Sequence, residues 1–370
     1  MVITVIFYLF WIVNIVAISY YIFFLAGIKA YRPFPINPAF IRPVSIVIAA
    51  RNELHNLKKL LPALYKQNHQ QFEIIVVDDR SEDGTMEFLQ QEAEKVGLKY
   101  LIPIRIDHLE ENIDGKKFAL TKGIELANYK VIQLIDADCI PVSDAWLKTM
   151  SSNFESDTSI ILGYSQYKKY PGWLNYFIRF ETLFTGMQYS SMAIWGSPYM
   201  GVGRNLSFKK DFFIEKGGYK DFMNVVGGDD DLFVNRHANA KNTKLVIGKE
   251  VLVMSEPKQS KKEYRAQKER HLSVGKLYSK KDKIILGIFS LSNIVSWLTF
   301  IPLILTVYPL PIIGVLLTRF VLLSYVFKKV SRKFGEEFNV AGVPVLDLIY
   351  QYYYIITGAK ALLSKRTEWT

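Results

Sequence analysis

Apolar residues follow two patterns along this chain, long uninterrupted runs near the ends and short runs in the middle. Residues 2–28 carry no charged side chain, and Lys29 and Arg32 follow them. Because about 20 apolar residues are enough to cross a bilayer, this run predicts an uncleaved transmembrane anchor over residues 1–28. A cleaved signal peptide is disfavoured, since no basic region precedes the apolar run.

A second long apolar block covers residues 284–327. Pro309 and Pro311 interrupt this block, and proline ends or kinks a helix when it stands in the interior. The block therefore predicts a hairpin of two membrane helices, at 284–307 and 312–327.

The C-terminal region, residues 328–370, begins with basic side chains and then becomes apolar again. Residues 343–364 include Asp347, Gln351 and Lys360 among several tyrosines. This composition suits either a polar membrane helix or a helix that lies at the membrane surface. The surface helix is the preferred interpretation.

Between these ends, residues 43–260 alternate apolar runs that suit buried strands with segments of helical spacing. Strands are predicted at 44–50, 72–77, 100–104 and 131–135, and helices at 54–67, 85–96, 118–127 and 232–240. Such alternation predicts an α/β domain with a mostly parallel, doubly wound sheet. Residues 261–283 are predicted to form a basic helix between this domain and the hairpin.

The net charge of +11 does not indicate a nucleic-acid partner, because the basic residues concentrate beside the predicted membrane segments. Residues 258–283 hold ten Lys and Arg against three acids, which suits anionic lipid headgroups. Basic clusters at 29–32, 280–283 and 328–333 place the domain in the cytoplasm by the positive-inside rule. We therefore expect a multi-pass protein of a bacterial inner membrane that binds membrane lipids and no nucleic acid. The single cysteine, Cys139, suits a reducing compartment.

Asp136 and Asp138 follow the predicted strand at 131–135. Side chains at positions i and i+2 of an extended segment point to the same side, so we expect these carboxylates to crowd one site. At about 6 Å and an effective dielectric constant of about 20, their repulsion is about 3 kcal/mol. A hard divalent cation with oxygen ligands would relieve it; the alternative is a solvated Asp-x-Asp turn.

Two further groups of acidic residues are also candidates for binding a ligand. Asp78 and Asp79 end the second predicted strand, and three consecutive acids, Asp229 to Asp231, precede a predicted helix. Turn formation is the alternative for the first group, and helix capping explains one or two members of the second. Because ligands of open α/β sheets lie at the carboxyl ends of the strands, we expect these acids to share a ligand.

Other segments leave more than one interpretation open. Gln267 and Arg270 lie in the predicted basic helix, most of whose lysines suit a lipid-facing surface. Residues 170–213 are rich in aromatic side chains, which is typical of an interfacial helix, of stacking against a sugar, or of ordinary core. Gly201 and Gly203 lie too late in the chain, and lack the third glycine, for a dinucleotide-binding motif.

Four segments, taken in order, resemble a family 2 glycosyltransferase with the GT-A fold. They are Val76 to Thr85, Asp136-Ala137-Asp138, Gly228-Asp229-Asp230 and Gln267-x-x-Arg270. The likeness covers residues 43–275, and the hairpin after it resembles that of ceramide glucosyltransferase-like and polysaccharide synthase-like members. The resemblance implies inverting transfer from a nucleotide-sugar donor, with a UDP-sugar expected, to a lipid-linked or cell-envelope glycan acceptor.

The resemblance also implies which residues hold the nucleotide. Asp79, with Asp78 beside it, would contact the base and the ribose. Ala49 and Glu53 would line the same pocket, and Lys116 would lie close to the nucleotide.

The remaining roles concern the metal and the chemistry. Asp136 would approach the sugar or ribose, and Asp138 would ligate Mg²⁺ or Mn²⁺ on the diphosphate. Asp230 would be the general base. Gln267 and Arg270 would close over the diphosphate and the acceptor.

Two departures from the family pattern affect these expectations. The pair Asp229-Asp230 replaces Glu-Asp, so the base could be displaced by one position. His271 replaces the Trp that follows the arginine, which counts against processive polymerisation. The alternatives are a processive polysaccharide synthase and a non-catalytic membrane scaffold with a glycosyltransferase-like domain. A transporter is less favoured, because the charged domain is much larger than the membrane part.

Overall fold

The computed structural model describes residues 1–34, 41–305 and 309–363, with side chains described to residue 360. Residues 306–307 of the first predicted hairpin helix lie outside the described residues, as do residues 364–370 of the predicted C-terminal region.

The described residues form twelve α-helices and ten β-strands. The helices are α1 Val2–Ala30, α2 Leu54–Tyr65, α3 Thr85–Val96, α4 Gly115–Leu126, α5 Trp146–Ser151, α6 Trp173–Ile194, α7 Lys210–Glu215, α8 Asp231–His237, α9 Lys261–Val274, α10 Lys280–Ile304, α11 Pro309–Lys333 and α12 Val343–Leu363. The strands are β1 Val44–Ala50, β2 Phe72–Asp79, β3 Leu101–Ile106, β4 Val131–Leu134, β5 Cys139–Pro141, β6 Ile160–Leu162, β7 Ser165–Tyr167, β8 Leu206–Lys209, β9 Thr243–Leu245 and β10 Val253–Ser255.

The main sheet has seven strands in the order β3-β2-β1-β4-β8-β6-β9. Strand β8 is antiparallel to both of its neighbours, and the other pairings are parallel, so the expected mostly parallel sheet is confirmed. A second sheet of three short strands has the order β5-β10-β7.

Alternating side chains of the central strands pack against helices on both faces of the main sheet. Ile46 belongs to one apolar cluster together with Leu61 of α2. Val47 and Val77 belong to the other cluster and face α4, where a Cβ on Gly123 would lie 2.6 Å from Val47. The missing side chain of Gly123 lets α4 lie close to the strands. The sheet is therefore doubly wound, as predicted.

Several elements end at residues other than those predicted. Helix α4 begins at Gly115 and not at residue 118, because the Asp114 carboxylate accepts the backbone N–H of Lys117 at 2.9 Å and caps the helix. Strand β3 continues to Ile106, paired with Asp79 of β2. Helix α8 ends at His237, three residues before its predicted end.

Three of the described helices, α1, α10 and α11, are long and apolar enough to cross a membrane. Helix α11 begins at Pro309, earlier than predicted. A proline in the first turn of a helix is tolerated, because the N–H group that it lacks has no intrahelical partner there. Pro309 and Pro311 therefore begin this helix and do not interrupt it.

Helix α6 joins the α/β domain to the membrane helices. Its Phe180 stacks on Phe327 of α11 with ring centroids 4.7 Å apart. Its Phe184 stacks on Phe289 of α10 at 5.7 Å. These two aromatic residues are core, whereas Trp173 at the start of α6 is 58% exposed. Phe180 and Phe184 therefore agree with the core interpretation, and the interfacial and sugar-stacking interpretations of the aromatic stretch stay predictions.

Helix α12 lies against the same junction. Tyr350 packs on Phe184 of α6 at a ring distance of 5.1 Å. A stripe of apolar side chains on α12 stays exposed, and comprises Val345, Leu348, Ile349, Tyr352 and Ile355. A helix with one packed face and one exposed apolar stripe suits a position at the membrane surface. The choice between a surface helix and a polar membrane helix for residues 343–364 stays a prediction.

Candidate active site

A cavity of about 350 Å³ opens where β1 and β4 end, between α6 and α9. Nine of the eleven predicted site residues line it: Ala49, Glu53, Lys116, Asp136, Asp138, Asp229, Asp230, Gln267 and Arg270. Three of the four segments that resemble the family, those with Asp136, Asp230 and Arg270, therefore converge on one space, although as many as 221 positions separate Ala49 from Arg270 in the chain.

Asp136 and Asp138 meet through a turn and not along a strand. Strand β4 ends at Leu134, and the two acids lie in the turn that leads to β5. One carboxylate oxygen of each lies within 4.8 Å of the other and of the Cys139 thiol. The crowding expected from the sequence is present, but the turn causes it and strand alternation does not. Burial, together with the charge of Asp136, raises the pKa of Asp138.

The donor atoms of this group fit a hard divalent cation. The Cys139 thiol donates a hydrogen bond to Asp138 Oδ1 at 3.3 Å. Burial and the neighbouring carboxylates hold the thiol pKa well above its ordinary value, and a hard cation prefers oxygen ligands to the softer sulfur. The carboxylates of Asp136 and Asp138 then supply oxygen ligands, which Mg²⁺ and Mn²⁺ prefer.

Lys116 connects the two acidic groups of the cavity. Its Nζ lies 3.0 Å from Asp136 and 2.9 Å from Asp229. Burial alone would lower the pKa of Lys116, but the surrounding carboxylates raise it well above its ordinary value. Lys116 is therefore a fixed positive charge between the candidate metal ligands and the candidate base. Its predicted contact with a nucleotide stays a prediction.

The adjacent acids Asp229 and Asp230 differ in their electrostatic environment. Burial raises the pKa of Asp230, and the charge of Asp229 adds to this effect, which brings the pKa to about 6. Burial acts on Asp229 as well, but the ammonium groups of Lys116 and Lys117 lower its pKa below the ordinary value. Two neighbouring carboxylates with separated pKa values are typical of acid–base sites.

Backbone groups hold the Asp230 carboxylate in place. Its Oδ2 accepts the N–H of Gly203 at 2.6 Å, and its Oδ1 accepts the N–H of Asp231 at 2.7 Å. A Cβ on Gly203 would lie 3.2 Å from Asp229 Oδ2, so a glycine permits this close approach. The Tyr278 hydroxyl donates to Asp231 at 2.8 Å. The three consecutive acids thus have three different sets of partners.

Lys117 is a supporting residue that the sequence analysis missed. Its side chain is fully buried, and its Nζ donates to the carbonyl oxygens of Val225 and, at 2.8 Å, Gly227. Gly227 and Gly228 have φ values of 82° and 83°, which favour glycine. The lysine and the two glycines together fix the loop that delivers Asp229 and Asp230.

Helix α9 forms one wall of the cavity. The Gln267 amide donates to the Tyr167 hydroxyl at 3.3 Å, and Arg270 and His271 also line the wall. Lys268 lies 2.8 Å from Glu181 of α6, which ties the two walls together. The face that carries Gln267 and Arg270 is therefore part of the site, and not a lipid-facing surface.

Asp78 and Asp79 do not line this cavity, although the sequence analysis assigned them to it. Both side chains are fully buried at the end of β2, which lies one strand further from β4 than β1 does. Arg105 contacts Asp78 at 2.8 Å, and Arg80 contacts Asp79 at 2.8 Å. Their predicted contacts with a base and a ribose stay predictions.

Arg204 lines the cavity and was not assigned from the sequence. Its guanidinium lies over the ring of Tyr167 at 4.5 Å. Its Nη1 is buried and has no hydrogen-bond partner among the described residues. The signal for it in the sequence is the glycine pair Gly201 and Gly203 just before it, which does not by itself indicate a ligand for the arginine.

Comparison with known proteins relates the chain to sugar-transferring enzymes. Residues 45–215 match the profile of the family described as "Glycosyl transferase family 2". Glycosyltransferase AglE of Haloferax volcanii is 28% identical over 189 residues, covering 50% of this chain and 58% of that protein. An undecaprenyl-phosphate 4-deoxy-4-formamido-L-arabinose transferase of Pseudomonas savastanoi is 37% identical over 110 residues, covering 29% of this chain and 30% of that protein. The chain thus spans less than two thirds of these relatives.

One solved structure resembles the chain over nearly its whole length. It is a mannosyltransferase from Pyrobaculum calidifontis in complex with GDP-Man and Mn²⁺. The TM-score is 0.69 at 16% sequence identity, with 99% of this chain and 100% of that chain covered. This likeness confirms the expected GT-A fold with its membrane helices.

Proposed function

We propose that this chain, whose residues 45–215 match the profile of glycosyl transferase family 2, is a membrane-bound inverting glycosyltransferase. Its donor is a nucleotide sugar, with a UDP-sugar expected, and its acceptor is a lipid-linked or cell-envelope glycan. The observation that carries this proposal is that the candidate metal ligands Asp136 and Asp138 line one cavity with the candidate base Asp230. The Mn²⁺ and GDP-Man of the Pyrobaculum protein support a metal-dependent nucleotide-sugar donor and add GDP to the nucleotides worth testing.

Asp230 is suited to accept a proton from the acceptor hydroxyl. Burial and the nearby charge of Asp229 raise its pKa to about 6, so the carboxylate is ionised at neutral pH yet still a competent base. The N–H groups of Gly203 and Asp231 orient it. The acceptor oxygen bonds to the anomeric carbon, its proton passes to Asp230, and the bond to the diphosphate breaks. A single displacement of this kind inverts the anomeric centre.

The diphosphate leaves with its negative charge, which the cavity can balance. A Mg²⁺ or Mn²⁺ ion held by Asp136 and Asp138 would neutralise part of that charge. Arg270 of α9 lines the same cavity and has no carboxylate partner within ion-pair distance among the described residues. It is therefore available to bind an anion.

Helix α6 supports an acceptor that arrives from the membrane. One face of α6 packs on α10 and α11 through Phe184 and Phe180. Another face lines the cavity through Thr182, Thr185 and Tyr189. The wall of the cavity is therefore also the helix that rests on the membrane helices, so a lipid-linked acceptor can reach Asp230 from the bilayer.

The direct test is release of a nucleoside diphosphate. The full chain in lipid nanodiscs is incubated with Mn²⁺, a panel of UDP- and GDP-sugars, and membrane extract as acceptor. We expect release with at least one donor, and Asp230→Asn serves as the matched inactive control. If no donor gives more release than that control, the chain is a scaffold. The length of the glycan product then separates single transfer from polymerisation.

A labelling experiment tests the cytoplasmic position of the domain. Cys139 is replaced by serine, and a cysteine is introduced at Glu87, an exposed position on α3. In intact cells we expect no reaction with a membrane-impermeant thiol reagent until the membrane is opened. Labelling of unopened cells would place the domain on the other side.

A further inference from the structure

The three-stranded sheet presents a polar row to the cavity. Ser255 of β10 pairs with Cys139 of β5 and with Tyr167 of β7. Residues directly opposite each other in neighbouring strands share a face of the sheet, and Ser165, two positions before Tyr167, lies on that face too. Ser165, Tyr167 and Ser255 all line the cavity. The row begins next to Asp138, the candidate metal ligand.

Arg204 lies over this row with hydrogen-bonding capacity left unused. Its guanidinium covers the Tyr167 ring at 4.5 Å, and its Nη1 is buried without a partner in the part of the chain that the structure describes. The hydroxyl of Ser165, a residue only 1% exposed, also lacks a partner there. A buried donor that is not hydrogen-bonded, above all a charged one, is costly. A ligand with anionic oxygens would satisfy both groups.

The short turn that carries Arg204 is rigid and belongs to the reacting end of the cavity. Asn205 accepts the indole N–H of Trp146 at 3.0 Å and donates to the carbonyls of Tyr164 and Val251 at 2.9 and 2.8 Å. Gly203, the residue before Arg204, donates its N–H to the candidate base Asp230. One turn therefore orients both the base and the guanidinium.

We propose that Arg204 binds the phosphate of the donor to which the sugar is attached, with the Ser165 hydroxyl as a second donor. This inference rests on the proposed function. That phosphate must lie next to the anomeric carbon, and so near Asp230, whereas the nucleoside is expected at the Ala49 and Glu53 end. The guanidinium then faces the oxygens on which negative charge develops as the sugar leaves, where a fixed donor is most effective.

Measurements of nucleotide affinity distinguish a contact with this phosphate from a contact with the nucleoside and from a structural role. Affinities of the full chain for UDP, UMP, GDP and GMP are measured by calorimetry with Mn²⁺ present. Arg204→Gln should weaken binding of the diphosphate by about 10- to 100-fold, the range of a hydrogen bond to a charged group. Binding of the corresponding monophosphate should not change. Arg204→Lys keeps the charge but loses the planar group, and should give a smaller loss.

Arg236→Gln is the matched control. Arg236 also stacks on an aromatic ring, that of Phe222 at 4.7 Å, but it pairs with Asp221 outside the cavity. Its replacement should leave all four affinities unchanged. The melting temperature of ligand-free Arg204→Gln should fall no further than that of ligand-free Arg236→Gln, because both substitutions remove one contact between a guanidinium and an aromatic ring.

Three results would overturn the inference. The first is an equal loss for the diphosphate and the monophosphate, which would indicate a contact with the nucleoside. The second is no loss of affinity for either nucleotide, which would mean that Arg204 binds an anionic acceptor and not the donor phosphate. The third is a larger fall in the ligand-free melting temperature for Arg204→Gln than for Arg236→Gln, which would indicate a structural role. A wild-type chain that binds neither UDP nor GDP would instead contradict the proposed function itself.

Discussion

Two arginines, Arg319 fully buried among the membrane helices and Arg204 half-buried in the wall of the cavity, have different surroundings. Arg319 is fully buried, and its Nη2 lies 2.7 Å from Asp347 and 2.8 Å from Asn293. Its Nη1 donates to Ser296 at 2.8 Å. Arg204 has no ion pair among the described residues, and its Nη1 has no partner. The paired charge of Arg319 holds helices together, whereas a buried guanidinium nitrogen without a partner beside a cavity indicates a ligand.

The partners of Arg319 come from different helices. Asn293 belongs to α10 and also accepts the Tyr21 hydroxyl of α1 at 2.5 Å, while Asp347 belongs to α12. A charged group within a membrane segment is costly unless it faces such partners. The network therefore ties four helices together around α11, and it gives α12 a fixed place although α12 is not among the three apolar membrane helices.

The largest expected effect is on the stability of the bundle. Asp347→Asn leaves the Arg319 guanidinium buried without its counter-ion, and should lower the free energy of unfolding by about 3–5 kcal/mol. Thermal unfolding in detergent measures this change. The double variant Arg319→Met, Asp347→Leu removes both charges and should recover most of the loss.

Asp221→Asn is the matched control for that experiment. It breaks the exposed ion pair with Arg236, and such pairs contribute at most about 1 kcal/mol. Equal losses for Asp347→Asn and Asp221→Asn would mean that the buried pair is not structural, and the contrast between the two arginines would fail.

The second expected effect is on catalysis and not on stability. Asp230→Asn should lower the turnover number by at least about 100-fold, the lower end of a general-base contribution. Folding and donor binding should persist, which melting curves and calorimetry check. If the Asp230→Asn protein is active and the Asp229→Asn protein is inactive, the general base is Asp229 and not Asp230.

The third expected effect concerns the candidate metal site. Asp138→Asn removes one of two carboxylate ligands, so the increase in UDP or GDP affinity caused by Mn²⁺ should disappear in calorimetry. Binding without metal should stay the same. If Asp138→Asn keeps the full effect of Mn²⁺, the ion binds elsewhere.

The smallest expected effect is the dependence of activity on pH. The pKa of Asp230, raised by burial and by Asp229, is about 6. The base must be ionised, so kcat/KM should be constant above neutral pH and should fall about tenfold per pH unit well below the pKa. Melting temperatures across the same pH range exclude unfolding. A profile that stays flat below the pKa would contradict the assignment.

Local patterns were sufficient for the main features of this chain. The uncharged run at 2–28 predicted α1, and the apolar runs before Asp78 and Asp136 predicted β2 and β4. These predictions succeeded because the apolar run that marks a buried strand or a membrane helix is a pattern of consecutive residues. The meeting of Ala49 and Glu53 with Asp136 and Asp138 follows from a general property of parallel sheets, whose strands end at one edge.

Which acids face the cavity depends on contacts between residues that are distant in the sequence. The exposed Arg105 forms an ion pair with the buried Asp78, although 27 positions separate them. Nothing in the segment around Asp78 indicates that an arginine of β3 will lie beside it. The sequence therefore predicted the acids at the strand ends, but could not decide which of them would face the cavity.

Arg319 and Arg204 show the same difference between what neighbours along the chain determine and what distant contacts determine. From the sequence alone, Arg319 was a charge in an apolar helix and Arg204 a residue after a glycine pair. Composition and spacing determined the class of fold, the membrane helices and the acidic residues of the site, because these depend on neighbours along the chain. Only the tertiary structure decided that Asp347 neutralises Arg319 while Arg204 keeps free donors beside Tyr167, because pairing of charges depends on which surfaces the folded chain brings within a few ångströms.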